Sequence, residues 1–103
     1  MSSGGGPAWT FLTNHAQVLV AVAQNPDIRL RDVALHIGIT ERAAQRILTD
    51  LVDAGYVFRQ RQGRRNHYRI DPSARMRHPA QEGIEIHSLL EFLERAVPPK
   101  TAD

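Results

Sequence analysis

Thr40-Glu41-Arg42-Ala43-Ala44-Gln45-Arg46-Ile47-Leu48-Thr49-Asp50-Leu51-Val52-Asp53-Ala54, followed by Gly55, is the stretch on which the reading of this chain turns. Thr40 predicts a helix start, because its hydroxyl can accept from one of the first free backbone N–H groups. Gly55 predicts the stop, where a residue that tolerates positive φ is favoured. Between them Ala44, Ile47, Leu48 and Leu51 recur at helical spacing and make one apolar face. The other face carries Glu41, Arg42, Gln45, Arg46 and Thr49. Arg and Gln form planar, paired hydrogen bonds that suit phosphates and base edges. Any solvated helix can present such a face, so the flanking segments decide.

Upstream, Arg31 to Ile37 reads as a helix with Val33, Ala34 and Ile37 turned inward. Gly38 ends it, and Gly38-Ile39-Thr40 leads straight into the central helix, with Ile39 as a plug in the turn. Two helices joined by a short Gly-containing turn, the second polar outside, form the helix-turn-helix pattern. His36, near the turn, reads as a polar surface residue. Ile28-Arg29-Leu30 is expected to form a short strand. Ahead of it, a first helix is predicted from Thr13 or Asn14 to Gln24, closed by Asn25-Pro26. Its run Val18-Leu19-Val20-Ala21-Val22-Ala23 is apolar on every side, which in so small a domain points to a partner subunit over part of it. Trp9, Phe11 and Leu12 are expected to dock the chain, Trp9 as a packing anchor. Residues 1–8 read as a flexible arm.

Downstream the period changes from helical to alternating. Tyr56-Val57-Phe58-Arg59-Gln60-Arg61-Gln62 and Asn66-His67-Tyr68-Arg69-Ile70 flank a Gly63-Arg64-Arg65 turn, which predicts a hairpin. Val57, Tyr68 and Ile70 are expected to hold it to the body. Five arginines and no acid fall between Tyr56 and Ile70, whereas Glu82, Glu85, Glu91 and Glu94 gather late in the chain. A basic patch set apart from an acidic segment suits a nucleic-acid binder with a second surface, although the net charge is only +2.

In this order and spacing, the segments Leu30 to Thr40, Arg46 to Val57 and Arg61 to Tyr68 resemble the winged helix-turn-helix transcriptional regulators of the MarR and ArsR type. The resemblance spans roughly Thr13 to Asp71. It implies that the second helix of the motif enters the major groove and that the hairpin, the wing, lies along the backbone or minor groove. Carried onto this chain, it assigns DNA contact to Arg42, Gln45, Arg46 and Thr49 on the helix, and Thr40 and Glu41 at the helix start are expected to join them. On the wing it assigns Arg61, Arg64 and Arg65. The chain is shorter than a typical MarR protein, which has more helices around its dimer interface. It also lacks the cysteines of the thiol- and metal-sensing ArsR proteins, so no effector is assigned.

A connector over 72–83 leads to a last helix from Glu85 to Val97, within a segment over 84–99, stopped by Pro98-Pro99 and followed by a tail over 100–103. Ile86, Leu89, Leu90, Phe92, Leu93, Ala96 and Val97 occupy an arc of about 160° at 100° per residue. Ile86, Leu90, Leu93 and Val97 also follow the 4-3-4 spacing of a short coiled-coil seam. Ile86, Leu89, Leu90, Leu93 and Val97 are therefore expected at a homodimer interface, with the first helix beside them. His87, Glu91 and Glu94 share the polar side and could form half of a zinc site across a dimer, but an acidic solvated face is the preferred reading.

The expected fold is thus mainly α with a small β-hairpin (α+β): a winged helix-turn-helix domain over 9–71 and a C-terminal dimerisation helix. The absence of cysteine excludes disulfides, thiol redox sensing and cysteine metal sites. No apolar run is long enough for a membrane span, and no secretory pattern opens the chain, so a cytoplasmic location is expected. There is no phosphate loop, nucleophile elbow or HExxH, so neither an enzyme nor a cofactor is expected. The function expected is a homodimeric, sequence-specific regulator binding double-stranded DNA at a palindromic operator. The alternative is a winged-helix protein–protein interaction module, which would not require the wing arginines.

Overall fold

Thr13 and Thr40 each stand in extended backbone just ahead of a helix, and each hydroxyl accepts a bond from the N–H three residues on. These two caps fix the starts of two α-helices. The computed structural model describes residues 9–96, and the arm, Val97, the proline stop and the tail lie outside the described residues. In order, the chain forms α1 (Asn14–Gln24), α2 (Leu30–Ile37), α3 (Glu41–Asp53), β1 (Val57–Gln62), β2 (Arg65–Ile70), a short 3-10 helix (Pro79–Gln81) and α4 (Ile86–Ala96). The strands pair antiparallel, with Val57 opposite Ile70 and Gln62 opposite Arg65. The architecture is mainly helical with a small two-stranded sheet, as expected of a winged helix.

The core sits where α1, α2 and α3 meet the base of the hairpin. Val18, Val22, Val33, Leu48 and Val57 are its largest fully buried side chains, and Tyr68 joins them from β2. Ala44, Ile47, Leu48 and Leu51 are all buried, so the apolar face of α3 faces inward as its spacing predicts. Gly38 and Gly55 both take φ of +87°, a conformation that a side chain would strain, and so let the chain turn sharply after α2 and α3. On α1, Val18, Leu19, Ala21 and Val22 are buried by the chain itself. The surface left for a partner on this helix narrows to half-buried Val20 and Ala23.

Three expectations are corrected. Ile28-Arg29-Leu30 forms no strand, and Leu30 is the first residue of α2. The reason is local: Ile28 N–H donates to Asn25 O, and the Arg29 carbonyl accepts from Asp32 and Val33 at the head of the helix. The loop still reaches the sheet through a backbone bond, Tyr68 N–H to Pro26 O at 2.8 Å. Second, Trp9 and Phe11 do not dock. They are 69% and 92% exposed and pack edge-to-face on each other, ring centroids 5.2 Å apart. Third, the last helix begins at Ile86 rather than Glu85, because Glu85 pairs with Arg75 in an antiparallel bridge.

That bridge orders the connector. Met76 N–H donates to Ile84 O and Ile86 N–H to Ala74 O, while the Tyr56 hydroxyl donates to the Arg75 carbonyl. The loop is thereby closed over Tyr56, and Ile86 is delivered into the chain's own core at 7% exposure. Leu89 and Leu90 pack half-buried beside it, Leu93 is half-buried and Phe92 is 63% exposed. So the residues expected at a dimer interface divide: Ile86 faces its own domain, whereas Leu89, Leu90 and Leu93 keep part of their surface. No described helix is long and apolar enough to cross a membrane.

Candidate nucleic-acid interface

The inward face of α3 determines what its outer face offers. With Ala44, Ile47, Leu48 and Leu51 buried, the 100° step per residue puts Arg42, Arg46, Thr49 and Asp53 opposite the core. Gln45 and Asp50 flank that stripe. Arg42, Gln45 and Arg46 are exposed and Thr49 is half-buried. The two arginines are four residues apart, one above the other, in the N-terminal half of the helix. The acids Asp50 and Asp53 occupy its C-terminal half. A polyanion would therefore be met by the N-terminal half, where the helix dipole is also favourable.

Thr40 and Glu41 lie at that same end. The Thr40 hydroxyl is held as the cap, accepting from Ala43 N–H at 3.0 Å, and still has its own O–H to donate. Glu41 stands in the first turn, where a carboxylate suits the dipole. Gln45 Nε2 lies 3.5 Å from Thr49 Oγ1, a contact too long to hold the amide firmly. Asp50 is drawn aside by α1, with His15 Nε2 at 2.9 Å from its Oδ2. Among the described residues, neither Arg42 nor Arg46 is ion-paired or hydrogen-bonded through its side chain.

The hairpin places its basic residues on two faces rather than one. Side chains alternate along a strand, so Arg59 and Arg61 share the face of buried Val57 and Tyr68, beyond the body. Arg65, His67 and Arg69 share the opposite face with Phe58. Several are already engaged. Arg69 lies over the Phe58 ring at 4.7 Å, a cation–π contact. Arg65 Nη2 donates to Asp27 O at 2.7 Å, and His67 Nδ1 lies 2.7 Å from Asp27 Oδ1. Together with the Tyr68–Pro26 bond, these contacts fasten β2 to the loop between α1 and α2.

Arg61 Nε donates to Gly63 O at 3.0 Å, which shapes the tip and leaves the outer amino groups of the guanidinium free. Arg64 is exposed at the turn with no side-chain partner among the described residues. The wing residues with most freedom to contact a ligand are thus Arg61 and Arg64, while Arg65 has one of its donors held by the body. Arg59 is a further exposed cation beside Arg61, outside the set that the family resemblance assigns to DNA. Strict alternation from Val57 is the signal that finds it. The Asp27 anchor carries no signal in the sequence, since it joins residues forty positions apart. The described residues contain no cluster of three or more His, Asp or Glu able to hold a metal, so His87, Glu91 and Glu94 do not converge into one.

A family model described as the MarR family matches residues 10–65. No curated protein matches the chain. Among solved structures, the chain is similar to the crystal structure of RV1404 from Mycobacterium tuberculosis. The identity is 18% and the TM-score 0.55, over 88% of this chain and 77% of the other. At that identity the likeness is one of fold.

Proposed function

The chain belongs to the MarR family of winged helix-turn-helix DNA-binding regulators, and from that premise we propose that it acts as a homodimer on a palindromic operator in double-stranded DNA. The N-terminal half of α3 enters the major groove. Arg42, Gln45, Arg46 and Thr49 read or flank the bases there, with Thr40 and Glu41 at the helix start beside the backbone. Arg61 and Arg64 at the wing tip contact phosphate or the minor groove, and Arg65 contributes from the anchored strand. One observation carries the reading: Arg42, Arg46, Arg61 and Arg64 are exposed and, among the described residues, unpaired with any carboxylate, although acids stand elsewhere on α3 itself. Guanidinium forks exposed in this way match phosphates and guanine edges.

A two-fold dimer sets half-site centres about 34 Å apart, one helical turn, or a multiple of it. The half-buried leucines of α4, with Val20 and Ala23 of α1, are the surfaces that support such a dimer. Competition between a preferred duplex and scrambled duplexes tests the reading helix. Gln45→Ala and Arg46→Ala should each lose about 1–3 kcal/mol of discrimination where the interaction is base-specific. Preference retained in both variants would remove α3 as the reading element.

A further inference from the structure

The outer face of α3 is bordered by a side chain from another helix. His15, in the first turn of α1, lines the same surface groove as Thr40, Arg42, Gln45, Arg46 and Asp50. Its Nε2 lies 2.9 Å from Asp50 Oδ2, and both side chains are about half exposed. An ionised carboxylate only accepts, so the ring nitrogen is the donor. α1 itself carries no acid, and His15 finds its carboxylate on α3.

Asp50 also has a neighbour on its own helix. It follows Arg46 by four residues, about 6 Å further along the axis and about 40° round. Side chains at that spacing are within reach of an ion pair. Yet Asp50 is turned to α1, and among the described residues Arg46 has no ion pair or side-chain hydrogen bond.

We infer that His15 is a positioning residue of the DNA interface: by holding the Asp50 carboxylate it keeps the Arg46 guanidinium free for the duplex. The inference rests on the assignment of α3 as the reading helix. An arginine fork binds carboxylate and phosphate with the same planar geometry, so a neighbouring aspartate competes directly with DNA for it. Released from His15, Asp50 would engage Arg46 and would bring its negative charge toward the surface that meets phosphate. Asp53 requires no such restraint, because it lies seven residues, about 10.5 Å, beyond Arg46.

A tether between helices would be a weaker use of the same bond. α1 and α3 already share a core through Val18, Leu19, Val22, Leu48 and Leu51. An exposed ion pair adds little to such a contact. What the bond changes is which side chain Asp50 occupies.

The test is a cycle of variants of the whole chain. Binding is followed by fluorescence anisotropy on a labelled duplex that the wild-type chain has selected from a random-sequence pool, with thermal melts to check folding. An exposed i, i+4 ion pair corresponds to a factor of about 1.4–2.3. His15→Ala should therefore weaken a dimer, with its two copies of Arg46, about two- to fivefold. His15→Gln retains an N–H for the carboxylate and should keep most of the affinity. In the background of Asp50→Asn no carboxylate competes for Arg46, so His15→Ala should cost nothing further. That rescue is not expected of a residue that only supports the fold. An equal loss from His15→Ala in both backgrounds would mean that His15 touches the duplex itself, and would overturn the inference. No effect of His15→Ala, while Arg46→Ala still weakens binding, would overturn the positioning role and leave α3 as the reading helix. No effect of Arg46→Ala would remove both.

Discussion

Replacing Arg61 and Arg64 together by Ala tests the wing most sharply, because the expected effect can be worked out in advance. Both side chains are exposed, and among the described residues only Arg61 is tied to anything, through Nε to the Gly63 carbonyl. Exposed substitutions of this kind shift stability by no more than about 0.5 kcal/mol, so the fold should persist. Each phosphate that the variant no longer neutralises should lower the slope of log K against log salt by about 0.9. Two arginines on each of two wings neutralise four phosphates, hence a slope smaller by about 3.6 for a dimer and about 1.8 for a monomer. Between about 50 and 200 mM salt, one neutralised phosphate corresponds to roughly a 3.5-fold change in affinity and four to roughly 150-fold. The assay is fluorescence anisotropy of a labelled duplex across that salt range, on wild type and variant, with thermal melts as the control. The variant should bind every duplex more weakly at low salt and depend on salt much less. An unchanged slope in a folded variant would refute the assignment of the wing to the DNA backbone.

Other perturbations read the frame that positions the interface. Thr40→Ala removes the bond to Ala43 N–H and should cost about 1 kcal/mol, roughly 4–8 °C in melting temperature for a domain of this size; a smaller shift would mean the cap contributes little. Gly55→Ala meets no atom within 4 Å, so its cost is confined to the backbone at φ +87° and should be about 1–2 kcal/mol in a denaturant melt; a neutral result would contradict the turn geometry after α3. Asp27→Ala removes the carboxylate from partly exposed His67 but leaves the backbone carbonyl that holds Arg65, so it should cost under about 1 kcal/mol. A larger destabilisation in thermal melts would show that the carboxylate itself anchors the wing.

How far the sequence reveals this molecule depends on the range of the interactions involved. Helix caps, positive-φ glycines and the period of buried side chains are local properties, and they predict α1, α3, the turn between α2 and α3, and the hairpin. Ile28-Arg29-Leu30 is β-prone by composition, yet its backbone groups are claimed by the turn from Asn25 and by the head of α2, a competition that residue preference does not express. Trp9 and Phe11 look like anchors because aromatics usually fill cores, but the core is already closed by Val18, Val22 and Leu48 without them. The five hairpin arginines read as a single patch because linear order hides the alternation that divides them. Two of them, Arg65 and Arg69, are partly engaged by groups that only the fold brings near. On α4 the apolar arc is visible in the sequence, but not which part of it the chain covers itself. That depends on the Arg75–Glu85 bridge, which delivers Ile86 into the core.

The central claim, that α3 and the wing form a dimeric, sequence-specific DNA-binding surface, is tested most directly by selection. The purified chain would be incubated with fragments of its own genome at near-physiological salt, and the retained DNA sequenced. The account predicts a small number of enriched sites sharing a palindrome, with half-sites one helical turn or a multiple of it apart. Uniform, weak retention that disappears as salt rises would show that only the phosphate backbone is felt, and would contradict it.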